Sequence, residues 1–203
     1  MNKRLLGKRV RALLAASVLA LAACSQPAKP QFKGTDITGA ELTGNFTLTG
    51  HDGKPHGLAD WQGKVVVVFF GFTQCPDVCP TTLAEMATAM KKLGERANDV
   101  QVLFISVDPE RDTPELLAKY VPAFDPRFMG LVGTSEQTAQ AARAFKVFYQ
   151  KAPGTTPGSY TVDHTAGLYV LDRDGRLRLF MRNGQDTEAL VHDLNVLLDA
   201  KRT

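Results

Sequence analysis

The feature that most constrains the fold is an unbroken apolar run at residues 64–70, KVVVVFF. Strands buried on both faces of a sheet have continuous β-branched and aromatic runs, whereas half-exposed strands alternate apolar with polar residues. Both faces of such a strand must be covered, and helices layered on a sheet are the usual solution. The run therefore predicts an α/β fold built on a central sheet.

The other elements alternate as such a sheet requires. A strand and turn are expected at 46–53, a helix with apolar residues at helical spacing after 71–80, and a second buried strand at 100–107. Helices are expected at 113–121, 135–148 and 187–200, a short strand at 128–132, and a hairpin from 167–171 and 176–181. The order predicts a thioredoxin-like sheet flanked by helices, with an N-terminal strand extension and a C-terminal hairpin and helix.

One segment is predicted to be irregular. Residues 153–159 are rich in Gly and Pro, which predicts a long loop, and 150–160 has no apolar period. We expect this loop to move when a metal binds.

The N-terminus predicts export. Five Lys or Arg residues precede an apolar run at 12–22, about half of the roughly 20 residues that a membrane-spanning helix needs. Residues 1–23 therefore have the pattern of a signal peptide. Residues 21–24, LAAC, resemble a bacterial lipobox, whose cysteine carries a lipid; ordinary cleavage beside a stray cysteine is the alternative. We expect a lipidated tether from Cys24 to residue 34 and one domain at 35–203, anchored to a membrane and facing the periplasm.

The charge balance argues against nucleic acid as a partner. The 24 Lys and Arg residues exceed the 21 Asp and Glu residues, but five of the cations lie in the predicted signal peptide. The exported part then has 19 against 21, a net charge of −2. No basic stripe remains that could follow a phosphate backbone.

Cys75 and Cys79 follow the apolar strand where the first helix is expected to begin. A helix N-terminus stabilises thiolates, so we expect lowered thiol pKa values. A structural disulfide here would close a loop of about five residues and stabilise by roughly 2 kcal/mol, against about 4.7 for a 100-residue loop. Three intervening residues put both sulfurs on one side of a helical turn, so a redox pair and a soft-metal site both stay open. A structural zinc site would need four ligands, and no second cysteine pair is present.

Histidine supplies the candidate third ligand. His51 and His56 lie in a turn-rich stretch and His192 on the polar side of the last helix, so we expect all three to be exposed. His164 precedes the strand at 167–171. In a thioredoxin-like sheet the loop before that strand faces the start of the first helix, so His164 is predicted to approach the cysteines.

Three motifs, in this order, resemble the Sco/SenC family of copper-binding cytochrome oxidase assembly proteins: GFTQCPDVCP at 71–80, SVDPERDTP at 106–114 and VDHTA at 162–166. The resemblance covers nearly the whole exported domain. It implies a thioredoxin-like fold and copper ligation, as Cu(I) and Cu(II), by Cys75, Cys79 and His164.

Two carboxylates are candidates for supporting roles. Asp77, between the cysteines, is a candidate outer ligand, charge-tuning group or partner contact, with a solvated turn as the alternative. Asp163 is a candidate to orient the His164 ring through its second nitrogen, with turn formation as the alternative. The stretch at 108–113 is expected to form a loop and helix start near the site, with Asp112 or Thr113 as the helix cap.

The resemblance implies a metallochaperone, not a turnover enzyme, that assists assembly of the copper centre of cytochrome c oxidase. Its implied partners are the copper-bearing oxidase subunit and another periplasmic copper chaperone. A thiol–disulfide oxidoreductase that keeps target cysteines reduced is the alternative, since it needs the same Cys75 and Cys79 as a redox pair. A peroxide-consuming protein is disfavoured, because Val68 and Phe72 stand where its Pro and Thr are expected. Ser25 after the lipidation site favours the outer membrane, whereas an oxidase partner lies in the inner membrane. Both membranes therefore remain candidates for the anchor.

Overall fold

The structure is a computed structural model that describes residues 30–41, 46–184 and 186–200. The predicted signal peptide, the predicted lipidation site at Cys24 and the predicted tether up to residue 29 lie outside the described residues. In the part of the chain that the structure describes, none of the helices has both the length and the apolar composition that a membrane span requires.

The described strands and helices follow the predicted alternation. The strands are β1 (Thr35–Asp36), β2 (Leu48–Gly50), β3 (Pro55–His56), β4 (Val65–Gly71), β5 (Val100–Ser106), β6 (Met129–Val132), β7 (Tyr149–Pro153), β8 (Tyr160–His164), β9 (Gly167–Leu171) and β10 (Leu177–Arg182). The helices are α1 (Val78–Leu93), α2 (Pro114–Tyr120), α3 (Ser135–Ala144) and α4 (Thr187–Asp199).

Eight strands form one mixed sheet in the order β1-β10-β9-β4-β5-β6-β2-β3. The three central strands β4, β5 and β6 are parallel, and β9 runs antiparallel to β4. All residues of β4 and β5 are buried, so both faces of the centre are covered, as the apolar run predicted. This arrangement confirms the thioredoxin-like α/β fold, with β1 as the N-terminal extension on one edge and β9–β10 with α4 as the C-terminal hairpin and helix.

The helices begin where the sequence supplies caps. The Thr113 hydroxyl accepts a hydrogen bond from the Leu116 N–H, and Pro114 occupies the first turn of α2, where a missing N–H costs nothing. At α3, Thr134 and Gln137 form a capping box. Helix α1 buries an apolar stripe and packs against α4. The stripe consists of Leu83, Met86, Ala89, Met90 and Leu93.

One predicted loop is confirmed, and one predicted helix boundary is wrong. The predicted loop at 153–159 is confirmed to within one residue, since 154–159 connects two strands, whereas the residues on either side of it pair antiparallel as β7 and β8, from Tyr149↔His164 to Pro153↔Tyr160. Strand β7 is mostly exposed, so it lacks the apolar alternation that marks a half-buried strand. Helix α3 ends at Ala144 instead of reaching 148, because Lys146 adopts φ 56°, a left-handed conformation that stops a helix.

Candidate metal centre

The two cysteines lie at the carboxyl end of the central strand β4. Cys75 belongs to the turn that follows the strand, and its N–H donates to the Phe72 carbonyl at 3.2 Å. Cys79 lies in the first turn of α1, and its N–H donates to the Cys75 sulfur at 3.4 Å. Both are free thiols. Cys75 is half-buried, whereas Cys79 is fully buried, with 0% of its surface exposed.

Gly71 makes room for the buried sulfur. A Cβ atom at this last residue of β4 would lie 2.9 Å from the Cys79 Sγ, 2.8 Å from Phe104 Cε2 and 3.1 Å from Phe69 Cε1. Side-chain carbons do not approach other heavy atoms so closely in packed interiors. The absence of a side chain at Gly71 therefore lets α1 bring Cys79 against the strand end.

Burial decides the protonation of Cys79. The expectation that the helix start would lower both thiol pKa values is wrong for this residue, because burial raises the pKa of the Cys79 thiol far above its ordinary value. A hydrogen bond from the Phe72 backbone opposes that effect, and Cys75 adds to it. The free-energy cost of removing a thiolate from water is larger than the stabilisation that the helix N-terminus gives it. Cys79 is therefore a neutral thiol at neutral pH.

His164 is the last residue of β8 and approaches Cys79, as predicted. Its Nε2 lies 3.8 Å from the Cys79 Sγ, and its Nδ1 lies 3.1 Å from the Thr165 carbonyl oxygen. A carbonyl only accepts hydrogen bonds, so Nδ1 carries the proton and Nε2 turns its lone pair to the sulfur. Burial holds the pKa of His164 below 6.5, against opposing effects of Thr165 and of the Asp163 carboxylate, so the ring is neutral near pH 7.

Aromatic rings fix the plane of the imidazole. The rings of Phe69 and Phe72 contact the His164 ring edge-on, with centroids 6.3 and 6.1 Å away. Both phenylalanines are buried beside the cysteines. The imidazole therefore has its Nδ1 bonded to a backbone carbonyl and packs against two phenylalanine rings, which leaves Nε2 as the atom directed at Cys79.

The two candidate carboxylates, Asp77 and Asp163, are both exposed. Asp77 is exposed and occupies the position before α1, with no hydrogen bond from its side chain to the helix N-terminus. Asp163 is exposed and precedes His164 in β8, so strand alternation directs its side chain to the opposite face. The nitrogen that Asp163 was expected to hold is paired with the Thr165 carbonyl instead.

The other three histidines have partners of their own. His51 is half-buried, not exposed as predicted, and its Nδ1 accepts a hydrogen bond from the Gly130 N–H at 3.0 Å. His56 lies between Asp52 and Asp60, each 3.1 Å away, and is also partly buried. His192 lies 2.8 Å from Asp193.

The loop at 108–113 contains two buried carboxylates, Asp108 and Asp112. Asp112 is buried, and it accepts hydrogen bonds from the Thr73 hydroxyl at 2.5 Å and the Ser106 hydroxyl at 2.6 Å, so it joins the loop to the segment before Cys75. Asp112 therefore does not cap α2. Charged residues clustered beside a proline are the signal that could have indicated a buried polar network here.

The donor set suits a soft metal. Two thiol sulfurs and one imidazole nitrogen are ligands that copper and zinc use in proteins. Within 30–41, 46–184 and 186–200, no three His, Cys, Asp or Glu side chains are close enough to hold an ion as they stand. Cys79 and His164 are already neighbours, and Cys75 is one turn away.

Comparison with known proteins identifies the family. Residues 34–199 match SCO1/SenC. This chain belongs to the SCO1/SenC family. The mouse protein SCO2 homolog, mitochondrial, is 40% identical over 154 residues, which cover 74% of this chain and 60% of that protein. The chain spans about half to three fifths of the length of such mitochondrial relatives.

Solved Sco structures share the fold. ScoI of Bradyrhizobium japonicum, determined with copper bound, is 40% identical, with a TM-score of 0.71 over 77% of this chain and 99% of its own. A SCO1/SenC family lipoprotein of Bacillus anthracis is 29% identical, with a TM-score of 0.70 over 83% and 100%. BsSco, described as having a disulfide switch and as a member of the Sco family of cytochrome c oxidase assembly proteins, is 25% identical, with a TM-score of 0.64 over 84% and 100%.

Proposed function

We propose that this protein is a copper metallochaperone that assists assembly of the copper centre of cytochrome c oxidase. Copper is its cargo, bound by Cys75, Cys79 and His164. The observation that carries the proposal is the 3.8 Å approach of the His164 Nε2 to the Cys79 Sγ, with Cys75 one turn away. The copper-bound Bradyrhizobium relative supports the choice of metal.

The ligand types suit an ion that changes oxidation state. Two thiolates alone satisfy Cu(I), and a neutral imidazole adds the nitrogen donor that Cu(II) prefers. The lone pair on the His164 Nε2 is free for this role because Nδ1 holds the proton. Cys75 and Cys79 thus hold the cargo in both states, and His164 decides how well the oxidised ion is held.

The burial of Cys79 favours a cation over a proton only when the cation binds sulfur strongly. Its raised thiol pKa means that binding must displace a proton, and a buried thiolate without a partner is costly. A soft cation removes that cost by bonding directly to the sulfur. Hard ions such as Mg²⁺ gain little from sulfur ligands, so the site discriminates against them.

The proposed partners are the copper-bearing subunit of the oxidase, which receives the ion, and another periplasmic copper chaperone, which supplies it. A lipid on Cys24 holds the protein at a membrane with its domain in the periplasm. The lipoprotein relative of Bacillus anthracis supports this attachment. Fractionation of inner and outer membranes, with a Cys24→Ser control that should shift the protein out of both, tests the anchor and identifies the membrane.

Copper titration of the reduced, full-length protein under anaerobic conditions tests the cargo. Cys75→Ser or Cys79→Ser should abolish Cu(I) binding, and His164→Ala should weaken Cu(II) binding far more than Cu(I) binding. His192→Ala is the matched control and should change neither. Full Cu(II) affinity in His164→Ala would contradict the ligand assignment.

A thiol–disulfide oxidoreductase is the second candidate. It is favoured by the half-exposed Cys75 thiol, which can attack a target disulfide while Cys79 resolves the mixed disulfide. The disulfide switch described for BsSco is a further reason to test it. His164 is not on the route of thiol exchange. In cells that lack the protein, rescue of oxidase activity by His164→Ala but not by Cys79→Ser would favour the oxidoreductase, and failure of both would favour the chaperone.

A further inference from the structure

The proposed site has two arms from different parts of the fold. The cysteine arm is the segment 71–79, which runs from the end of β4 to the first turn of α1. The hairpin arm is the β7–β8 hairpin, which ends in His164 and lies outside the eight-stranded sheet. An isolated two-stranded hairpin is only marginally stable in water. Its position relative to the cysteines must therefore be set by contacts with the rest of the protein.

Arg111, in the loop between β5 and α2, contacts both arms. Its Nη1 donates to the Gln74 Oε1 in the cysteine arm at 3.1 Å and to the Tyr160 carbonyl in the hairpin arm at 3.0 Å. Its guanidinium also lies over the Tyr160 ring at 3.7 Å and near the Phe72 ring at 5.7 Å. One cation is thus inserted between an aromatic ring of each arm.

Asp108 holds this cation in place. Its Oδ2 accepts a hydrogen bond from the Arg111 Nε, and its Oδ1 accepts one from the Tyr160 hydroxyl at 2.8 Å. The Asp108 side chain is 1% exposed and the Arg111 side chain 19% exposed, so this ion pair is shielded from solvent and salt. The carboxylate therefore binds both the cation and the residue on which the cation stacks.

The buried position of the Arg111 guanidinium carries an energetic cost. Its Nη2 is buried without a hydrogen-bond partner among the described residues. An unpaired buried donor is unfavourable. The stacking on Tyr160 and the bonds to Asp108 and Gln74 must outweigh that penalty, and they do so only with the hairpin in its present position. Phe72 completes the connection, since its ring contacts both the Arg111 guanidinium and the His164 ring.

We propose that Arg111, oriented by Asp108, is a positioning residue that ties the hairpin arm to the cysteine arm and thereby presents His164 to the two sulfurs. This inference rests on the proposed copper site for its functional meaning. It extends that proposal by naming the residue that fixes the position of the third ligand, His164. Without the tie, the hairpin moves on its 145–148 and 165–166 connections and Cu(II) loses its nitrogen donor, while the two cysteines keep Cu(I).

The test uses Arg111→Lys, which keeps the charge beside Asp108 but loses the planar stack and the fork of donors. Tyr160→Phe is a milder second variant that keeps the ring and removes only the hydroxyl bond to Asp108. Glu110→Gln is the matched control, because it removes the exposed Lys151–Glu110 pair, which links the same two segments and should contribute little, and leaves the cation contacts of the Tyr160 ring with Arg111 and Lys151 in place.

Hydrogen exchange in the metal-free, full-length protein is the first readout. Arg111→Lys should speed exchange at 161–164 roughly tenfold without changing the helices, as expected when a local contact opens. Tyr160→Phe should show a smaller effect in the same residues, and Glu110→Gln none. Unchanged protection at 161–164 in both Arg111→Lys and Tyr160→Phe would overturn the inference, whether or not the protein binds copper.

The second readout is the affinity for copper in each oxidation state. Arg111→Lys should weaken Cu(II) binding about tenfold, the size expected for losing a part-buried cation–π contact and a hydrogen bond, and should diminish the sulfur-to-Cu(II) absorption band. Cu(I) affinity should stay within about threefold, because two thiolates suffice for it. Equal losses in both states would contradict the positioning role. Failure of the unaltered protein to bind copper would instead contradict the proposed function. The hydrogen-exchange result would then still test whether Arg111 ties the two arms together.

Discussion

Replacing Gly71 with alanine should destabilise the protein by packing alone. The added Cβ would lie under 3.0 Å from both Phe104 Cε2 and the Cys79 Sγ, and 3.1 Å from Phe69 Cε1. Both rings are fully buried, so neither can move without displacing the core. Overpacking a close-packed interior costs typically about 1–3 kcal/mol, and three simultaneous contacts put Gly71→Ala at about 2–3 kcal/mol.

Urea unfolding of the reduced, metal-free protein measures this cost. A double-mutant cycle isolates the sulfur's share: in a Cys79→Ala background the Sγ is gone, and the cost of Gly71→Ala should fall by about 1 kcal/mol. The reasoning would be refuted by a Gly71→Ala loss below about 0.5 kcal/mol, or by equal losses in the two backgrounds, because either result means that the chain relaxes around the added methyl.

Three further predictions concern stability away from the site. The His51 ring must be neutral to accept the Gly130 N–H, and burial lowers its pKa from 6.5, so stability should fall as the pH drops below that value. His51→Asn keeps an acceptor that does not titrate, so the difference in urea midpoint between about pH 7.5 and about pH 5 should shrink, and an unchanged difference would exclude His51 as its source. Thr134→Ala removes a capping box and should cost about 1 kcal/mol in urea unfolding, whereas Thr134→Ser should cost little. The buried Asp193 accepts hydrogen bonds at 2.7–3.1 Å from two backbone N–H groups ahead of β1, so Asp193→Ala should cost about 1–3 kcal/mol and make residues 32–36 more susceptible to proteolysis; resistance equal to wild type would contradict this.

The centre of the fold could be predicted because a strand that is buried on both faces needs a continuous run of apolar residues. Strands β4 and β5 are continuous apolar runs, and the helix between them has its apolar residues on one face. That order alone predicts that the strand end with the cysteines meets the segment before β9. The approach of His164 to Cys79 followed from it.

Features that depend on how deeply a group is buried, or on the pairing of solvent-exposed strands, could not be predicted from the sequence. The β7–β8 hairpin is mostly solvent-facing, so its pairing rests on backbone hydrogen bonds that any residue can make. The protonation of Cys79 depends on how far the helix start is buried, and a helix N-terminus looks the same in sequence at any depth. The contacts of Arg111 join segments about 40 and 50 residues apart, which no local pattern encodes.

The unequal burial of the two sulfurs has a consequence for the order of events. Cys75 borders solvent, while Cys79 lies behind it against the end of the central strand. An arriving ion or foreign thiol therefore meets Cys75 first, and a departing one breaks its last bond there. Under the proposed function, exchange with a partner is therefore expected to be sequential and to pass through a species attached to Cys75 alone. A limiting amount of an alkylating reagent should label Cys75 before Cys79.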